Sequence, residues 1–138
     1  MIHFKEQPKL LKQQIHDLYH ALNWTQYTKD MPLLVKAISQ STYVVGCFDD
    51  NQLIGLVRVI SDDASIGYIQ DILIIKKYQN QGIGKQLMDR VIKRFTHVRQ
   101  LVLMSDDESK TNSFYQSCGF VRGSDIHLNL FVKIKNIE

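Results

Sequence analysis

The chain has 138 residues, of which 44% are hydrophobic and 22% are charged, a composition typical of a globular protein. This length predicts one domain, over residues 1–138, with a core that needs no disulfide or metal to hold it. The net charge of +3 is small and its basic residues are scattered, so no nucleic-acid surface is predicted. No apolar run approaches the ~18–20 residues of a membrane span. The first residues do not resemble a signal peptide, so we expect a cytoplasmic protein.

The cysteines and histidines do not form a recognisable metal motif. Cys47 and Cys118 lie far apart and fit neither a CxxC nor a zinc spacing, so we expect two buried thiols in a reducing compartment. His16 and His20 are four residues apart, but Asp17 stands where a zinc-protease motif requires glutamate. These histidines are therefore interpreted as surface residues, and no metal is predicted.

The first forty residues predict a strand and two helices. Residues 2–5 resemble a short strand. Apolar residues then recur at spacings of four, three and four, which is one face of a helix; they are Leu11, Ile15, Leu18 and Leu22. Residues 23–30 break this pattern and predict a loop, after which Pro32 suits the start of a second short helix.

The next segment predicts an antiparallel meander of three strands. Runs rich in Val, Ile, Tyr and Phe occupy residues 42–48, 53–60 and 66–75 and are separated by turn clusters. The third run ends in four aliphatic residues, which is typical of a central strand buried on both faces. The second turn contains Asp62 and Asp63, which either attract a cationic amine or form a solvated turn.

From Gly82 the apolar period becomes helical, with one stripe formed by Ile83, Leu87, Val91 and Phe95. A short strand over residues 100–104 follows, and a strand–helix–strand unit of this kind implies a parallel neighbour. Residues 110–117 predict a helix, and residues 121–135 predict one or two strands. The expected fold class is α/β (α+β), with a mixed, mostly antiparallel sheet of about six to seven strands and about four helices.

The segment Gln79–Lys85 follows the predicted central strand and opens a helix. Its glycines allow a tight turn, and the first N–H groups of a helix have no internal partner, so together they favour an anion, phosphate above all. A P-loop requires Ser or Thr where Gln86 stands, and a dinucleotide-binding loop requires a small residue where Leu87 stands. What remains is either a helix start without a ligand or a site for a different phosphate compound.

The pattern Gln-x-x-Gly-x-Gly over Gln79–Gly84 resembles the acetyl-CoA signature of the GCN5-related N-acetyltransferase (GNAT) superfamily. Tyr68–Ile74 resembles the fourth strand of that family, and Asn112–Tyr115 with Cys118–Phe120 resembles its late helix and the strand that follows. The predicted element order agrees from about Phe4 to Lys133. The resemblance implies a cytoplasmic, acetyl-CoA-dependent N-acetyltransferase that acetylates a primary amine of a small molecule by direct attack in a ternary complex.

The resemblance also implies which residues bind acetyl-CoA. The main chain of Ile72, Leu73 and Ile74 would contact the pantetheine arm and the acetyl carbonyl, and Asn112 would touch the CoA arm. The pyrophosphate would lie on the N–H groups of the turn, which are those of Gln79, Asn80, Gln81, Gly82, Ile83, Gly84 and Lys85.

There are two catalytic candidates, one from the resemblance and one from its position in the sequence. Tyr115 matches a tyrosine that can protonate the departing thiolate, and a phenol of pKa ~10 suits a thiolate of pKa ~8.5; otherwise it is a half-buried helix aromatic. A neutral amine requires a base, and Asp71 lies in an otherwise apolar strand, where burial makes a carboxylate a stronger base. If the hairpin is centred near residues 64–65, Arg58 lies opposite Asp71, and an ion pair makes it a poor base. Both interpretations stay open, since Tyr68 stands where some members carry a glutamate base.

The predicted substrate-binding residues are Trp24, Tyr27, Arg58 and Tyr68. Family members often place the wall of the acceptor pocket on the loop that contains Trp24 and Tyr27, although Trp24 fits a core position equally well. The expected partner is a small-molecule amine, without nucleic acid or membrane, in a possible homodimer. Alternative functions are a non-catalytic acyl-CoA-binding or sensor module and an acetyltransferase of protein N-termini or lysines.

Overall fold

The structure is a computed structural model that describes residues 1–135. It divides the chain into two compact units, Met1–Met104 and Ser105–Glu138. The first unit contains one sheet of five strands, which are β1 (Ile2–Glu6), β2 (Tyr43–Asp49), β3 (Gln52–Ser61), β4 (Ile66–Ile74) and β5 (Gln100–Leu103). The strands lie side by side in sequence order. All neighbours are antiparallel except β4 and β5, which are parallel.

Five α-helices complete the regular structure, four of them in the first unit. They are α1 (Lys12–Ala21), α2 (Thr25–Thr28), α3 (Met31–Ser39), α4 (Ile83–Arg94) and α5 (Ser109–Ser117). Asp30 caps α3 by accepting the Leu33 N–H at 3.2 Å, and Pro32 lies in the first turn. Short 3₁₀ turns form at Lys76–Tyr78 and Gly123–Ile126.

The two faces of the sheet pack against different helices. Val44 and Phe48 belong to a cluster with the buried residues of α1 and α3. Because side chains alternate along a strand, Tyr43 points to the opposite face, where its ring meets that of Phe95 at the end of α4 at a centroid distance of 5.8 Å. The amphipathic stripe of α4 is buried, as its period predicts. The sheet is therefore covered on both faces.

The mixed α/β fold agrees with the prediction, but two local predictions are wrong. Residues 23–30, expected to form a loop, contain the one-turn helix α2. The predicted strands of residues 121–135 are absent, so residues 1–135 contain five strands rather than six or seven. A strand needs a neighbour to hydrogen-bond, and here the chain turns back on itself: Leu128 N–H donates to the Gly123 carbonyl at 2.8 Å, and His127 is left-handed with φ 64°.

An irregularity in β4 positions the candidate site. Ser61 lies opposite Gly67 and Val59 opposite Ile69, whereas Arg58 lies opposite Asp71. One residue of β4, Gln70, is therefore extra, which is the definition of a β-bulge. Bulges re-aim the side chains beside them, and this bulge lies directly before residues 71–74.

Candidate active site

The glycine turn is tied to the end of β4 by a side chain. The amide Nε2 of Gln79 donates to the Ile74 carbonyl at 2.8 Å. Asn80 and Gly82 then adopt the left-handed conformation, with φ of 63° and 82°, and α4 begins at Ile83, whose side chain is buried. The sequence predicted N–H donors here. It did not predict that the Gln79 side chain would fix the turn in place.

The surface of this turn is open. A Cβ built at Gly82 meets no atom within 4 Å. The first helical hydrogen bond runs from Gln86 N–H to the Gly82 carbonyl at 3.1 Å, so the N–H groups of Ile83 and Gly84 have no partner in a preceding turn of the helix. An open surface over outward N–H groups and the positive end of a helix dipole is suited to a phosphate.

The edge of β4 leading into this turn has no strand neighbour along about half its length within residues 1–104. β5 pairs only with Ile66–Ile69 of β4. Within residues 1–104, no strand pairs with residues 70–74 on that edge. The predicted main-chain contacts of Ile72, Leu73 and Ile74 therefore lie on a strand edge that is not occupied by a sheet neighbour, directly after the bulge.

Asp71 lies at the centre of a buried polar cluster. Its side chain is 1% exposed, and Arg58 Nε donates to its Oδ2 at 2.6 Å. The hydroxyls of Tyr19 and Tyr27 donate to Oδ2 and Oδ1, each at 2.9 Å. The cross-strand ion pair, one of the two interpretations that the sequence left open, is present, and three side-chain donors surround the carboxylate.

The charge of Asp71 controls the protonation of its neighbours. Burial opposes the charge of Arg58, but the Asp71 carboxylate outweighs this effect and leaves the pKa of Arg58 above its ordinary value. Burial and the adjacent carboxylate raise the pKa of Tyr19 well above that of a free phenol, and raise the pKa of Tyr27 in the same way. Both phenols therefore remain protonated and donate to Asp71 at neutral pH.

An aromatic cluster connects this polar group to the segment after α1. The ring of Trp24 stacks on Tyr27 at 5.8 Å between centroids and meets Tyr19 edge-on at 5.9 Å. Trp24 and Tyr27 are half-buried against the core, so Trp24 has a packing role. Each ring also retains some exposed surface.

Three further members of the polar cluster were not predicted. They are Tyr19, Ser41, which accepts from Arg58 Nη1 at 3.3 Å, and Gln70, whose amide donates to the Tyr27 hydroxyl at 3.2 Å. The sequence could have indicated Tyr19. Its ring lies on the apolar face of α1, and a buried tyrosine hydroxyl needs a hydrogen-bond acceptor. No sequence pattern indicated Gln70 or Ser41. The contact of Gln70 depends on the bulge in β4, and that of Ser41 depends on where α3 ends.

Tyr27→Phe is expected to lower the free energy of unfolding by about 1–2 kcal/mol, because the variant removes one hydrogen bond to a buried charge. The matched control is Tyr68→Phe, a half-buried tyrosine of β4 whose hydroxyl has no hydrogen-bond partner among residues 1–135. Urea titration of both variants measures the difference. Equal stability losses would show that the Tyr27 hydroxyl contributes nothing through Asp71.

The remaining candidates of the first unit do not join this cluster. Tyr68 lies between Ile60 and Val102 in the sheet, and the hydrogen bonds that Asp71 accepts come from Arg58, Tyr19 and Tyr27 instead. Asp62 is used by its own turn, where it accepts the N–H groups of residues 64–66. Arg94 pairs with Asp63 at 2.7 Å and holds the pKa of Asp63 down at about 2. Both aspartates of this turn therefore have structural partners.

Tyr115 and Asn112 belong to the second unit, on α5. The Tyr115 ring packs edge-on against Phe114 and Phe120, at 5.1 and 6.2 Å between centroids. Burial raises the pKa of Tyr115, and its hydroxyl has no hydrogen-bond partner among the described residues. Asn112 Nδ2 donates to Asp107 at 3.1 Å. Tyr115 is therefore a protonated phenol whose hydroxyl does not donate a hydrogen bond to any described residue.

Residues 1–135 contain neither a metal-binding cluster nor a membrane-spanning helix. No three His, Cys, Asp or Glu side chains of that range are grouped closely enough to hold a metal ion. None of the helices there has both the length and the apolar character that crossing a membrane requires.

Comparison with known proteins places this arrangement in a family. The family model of the acetyltransferase (GNAT) domain matches residues 6–128. An acetyltransferase of the GNAT family from Streptococcus pneumoniae TIGR4 is 28% identical, with a TM-score of 0.87 over 99% of this chain and 100% of that one. An aminoglycoside N-acetyltransferase in complex with CoA shares the fold, with a TM-score of 0.75, 14% identity, and coverage of 99% of this chain and 96% of that one.

A curated relative is the uncharacterized N-acetyltransferase of Gracilaria tenuistipitata var. liui, which is 28% identical over 118 residues. The match covers 80% of this chain but 64% of that relative, so the chain spans less than two-thirds of the length of this relative. With the family model matching most of the sequence and the glycine turn following a bulged β4, the chain belongs to the GCN5-related N-acetyltransferase (GNAT) family.

Proposed function

We propose that this protein is an acetyl-CoA-dependent N-acetyltransferase that transfers an acetyl group to a primary amine of a small molecule by direct attack in a ternary complex. The observation that carries the proposal is the open glycine turn at the start of α4, joined by Gln79 to a β4 edge without a strand neighbour. Membership of the family indicates the reaction class, and the residues of the turn and of this strand edge are proposed to bind acetyl-CoA.

The residues present fit the acyl donor. The N–H groups from Asn80 to Gly84 would bind the pyrophosphate at the positive end of α4. Of the other two predicted positions, Gln79 donates its N–H to the Lys76 carbonyl at 3.2 Å and would act through its side chain, and Lys85 would lie beside the phosphates. The free edge of residues 72–74 offers main-chain groups for an extended arm, in the way that a strand edge binds a peptide. Asn112 completes the predicted set. When bound, acetyl-CoA supplies the activated acetyl thioester.

Tyr115 is proposed as the proton donor to the leaving thiolate. Its raised pKa keeps the phenol protonated through neutral pH, and a donor must hold its proton until the thiolate forms. Its hydroxyl has no hydrogen-bond partner among residues 1–135, so it is available to donate to sulfur; the Tyr68 hydroxyl is unpartnered too, and the family resemblance assigns the role to Tyr115.

Asp71 is proposed to act mainly by positioning Tyr27 beside the acceptor. A carboxylate that is 1% exposed and accepts from Arg58, Tyr19 and Tyr27 has little access to an amine. The amine proton would then leave through water or past Tyr68. Trp24 and Tyr27 would form the apolar wall of the acceptor site with their exposed ring surfaces.

Two solved relatives of the same fold support a small-molecule acceptor. One is an aminoglycoside N-acetyltransferase in complex with a bisubstrate analogue of CoA and an acetylated neamine. The other is an aminoglycoside acetyltransferase from an uncultured soil sample in complex with sisomicin. They share 14% and 18% identity with this chain, so they motivate the acceptor class rather than a particular drug.

The test is a screen for acetyl-CoA-dependent thiol release over a library of amines, peptides with free N-termini, and lysine peptides. The proposal predicts release with at least one small-molecule amine. Release with peptides alone would indicate a protein acetyltransferase. The buried state of Asp71 favours one further candidate, the non-catalytic module, which predicts calorimetric binding of acetyl-CoA without release over any acceptor.

Gly82→Val is expected to weaken acetyl-CoA binding at least tenfold, or ~1.4 kcal/mol. The added side chain would stand in the open space over the turn, and the left-handed backbone disfavours it. Isothermal titration calorimetry measures the affinity. Gly119→Val is the matched control, because Gly119 also has a positive φ, 96°, and open space at its Cβ, so it carries the same backbone strain. Unchanged affinity in Gly82→Val would remove the turn from the binding site.

A further inference from the structure

A cavity of the first unit lies between β1 and the segment that leads into α1. Its volume is about 400 Å³, within the ~300–1,000 Å³ of small-molecule sites. The lining residues that determine its chemistry are His3, Lys5, Lys9, Leu11, Phe48 and Asp50. None of them belongs to the candidate active site. β1 lies three strands away from β4 in the sheet, which is ~14 Å at ~4.8 Å per strand, so this cavity is a separate place in the molecule.

Two nearly parallel rings line the cavity on the side of the sheet. His3 and Phe48 are cross-strand partners in β1 and β2, and their rings stack with centroids 5.4 Å apart and an interplanar angle of 16°. Phe48 is 6% exposed, whereas His3 is partly exposed. Offset stacking is a favourable arrangement of aromatic rings. The exposed part of the His3 ring therefore offers a surface on which a flat ring of a ligand can continue the stack.

Two lysines give the cavity a positive charge. Lys5 Nζ lies 5.6 Å from the centroid of the Phe48 ring, and this cation–π contact keeps the ammonium beside the rings. Neither Lys5 nor Lys9 pairs with a carboxylate among residues 1–135. Asp50, the acidic residue of the lining, already accepts a hydrogen bond from the Met1 ammonium at 3.0 Å. Two cations without a counter-charge favour an anionic ligand.

The apolar rim of the cavity departs from the usual chemistry of a helix start. α1 begins at Lys12, and Leu11 is its N-cap residue, a position where Ser, Thr, Asp or Asn is preferred. The Leu11 side chain is 68% exposed, so the core does not require it there. A residue that breaks a local rule without a gain in the core is expected at a functional site. Leu11 adds apolar surface where a ligand would enter.

We propose that this cavity binds a small aromatic carboxylate, whose ring stacks on His3 and whose charge is held by Lys5 and Lys9. Arginine, the usual bidentate partner of phosphate, does not line the cavity within residues 1–135, so a carboxylate is the anion that we assign. For a two-ring ligand, the usual binding energy per atom gives a dissociation constant of roughly 0.1–1 mM. The site goes beyond the proposed acetyltransferase activity, and its test does not require activity.

NMR titration of the full-length, ¹⁵N-labelled protein with indole-3-acetate locates the binding. We expect saturable shifts of amide signals from residues 3–5, 9–11 and 48–51. Indole-3-ethanol has the same ring without the charge and should bind at least tenfold more weakly. Saturating CoA should leave the affinity for indole-3-acetate unchanged, because the two sites are separate. Absence of saturation up to ~10 mM, shifts centred on other residues, equal binding of indole-3-ethanol, or displacement by CoA each overturns the proposal.

Two sets of variants test the residues in the same titration. Lys5→Gln with Lys9→Gln should weaken binding of indole-3-acetate at least tenfold, because both charges that face the carboxylate are lost. Lys36→Gln with Lys93→Gln is the matched control, since it removes two exposed lysines of the first unit that lie outside the lining, and it should change the affinity less than twofold. His3→Ala should weaken binding at least threefold through loss of the ring. Melting temperatures show that each variant is folded. Wild-type affinity in Lys5→Gln with Lys9→Gln, or an equal loss in the control, overturns the assignment.

Discussion

Asp71→Ala should lower the free energy of unfolding by ~3–5 kcal/mol, because it leaves the guanidinium of Arg58 buried without its counter-charge. Arg58 and Asp71 are 5% and 2% exposed, so water cannot replace the lost partner. Tyr19 and Tyr27 also lose their acceptor. Denaturant unfolding followed by circular dichroism measures the effect. The comparison variant is Asp63→Asn, which removes an exposed partner of Arg94 and should change stability far less.

The same pair should show strong non-additivity. Arg58→Ala alone should be about as destabilising as Asp71→Ala, since it leaves the carboxylate without its cation. The double variant should cost much less than the sum of the two, because each single change already removes the pair. Additive losses would mean that the two side chains contribute to stability independently. The interaction energy between them would then be zero despite their short contact.

Tyr115→Phe should lower kcat by roughly tenfold to a hundredfold and leave the affinity for acetyl-CoA unchanged. The hydroxyl is proposed to act only when charge develops on sulfur, so its loss affects the transition state and not the bound donor. Phenylalanine keeps the ring contacts with Phe114 and Phe120, so the variant should fold normally. Pre-steady-state kinetics on an acceptor from the amine screen separates chemistry from product release.

Two readouts distinguish a proton donor from a packing residue. The loss should shrink for a thioester with a more acidic thiol, which needs less help to leave. Because the pKa of Tyr115 is raised, its proton is retained until the pH exceeds the ordinary phenol value of ~10, so any alkaline decline of kcat caused by Tyr115 should lie above that pH and be absent in Tyr115→Phe. A variant with the wild-type kcat, when chemistry limits the rate, returns Tyr115 to a packing role.

A regular hairpin predicts that Arg58 lies opposite Asp71. In the structure the two residues are opposite one another, but the hairpin between β3 and β4 is not regular. A hairpin centred between residues 64 and 65 places Arg58 opposite Asp71. The hairpin is in fact centred on Ala64, since Ser61 pairs with Gly67, and the extra residue Gln70 restores the predicted pair. Alternation and turn chemistry are local, so the sequence carries them, whereas a bulge depends on how the sheet packs.

Contacts between elements distant in sequence were not predictable. Tyr19 reaches Asp71 across 52 residues because of the way α1 crosses the sheet, which periodicity does not specify. The loose apolar alternation of residues 121–135 predicted one or two strands, yet a strand also requires a neighbour, and residues 1–135 provide none for this segment. The local sequence pattern therefore predicted most of the helices and strands. Which segments pair as strands in the sheet depended on tertiary contacts.

The most direct test of the central claim follows the acetyl group itself. The protein is incubated with acetyl-CoA carrying an isotopically labelled acetyl group and with an amine that releases thiol in the screen. Mass spectrometry then measures labelled acetyl on the amine nitrogen, and free thiol is counted in parallel. We predict one labelled acetyl-amine for each thiol released, at a rate that falls strongly in Gly82→Val and much less in Gly119→Val. Thiol release without labelled amine, or transfer that is indifferent to Gly82→Val, would contradict the account.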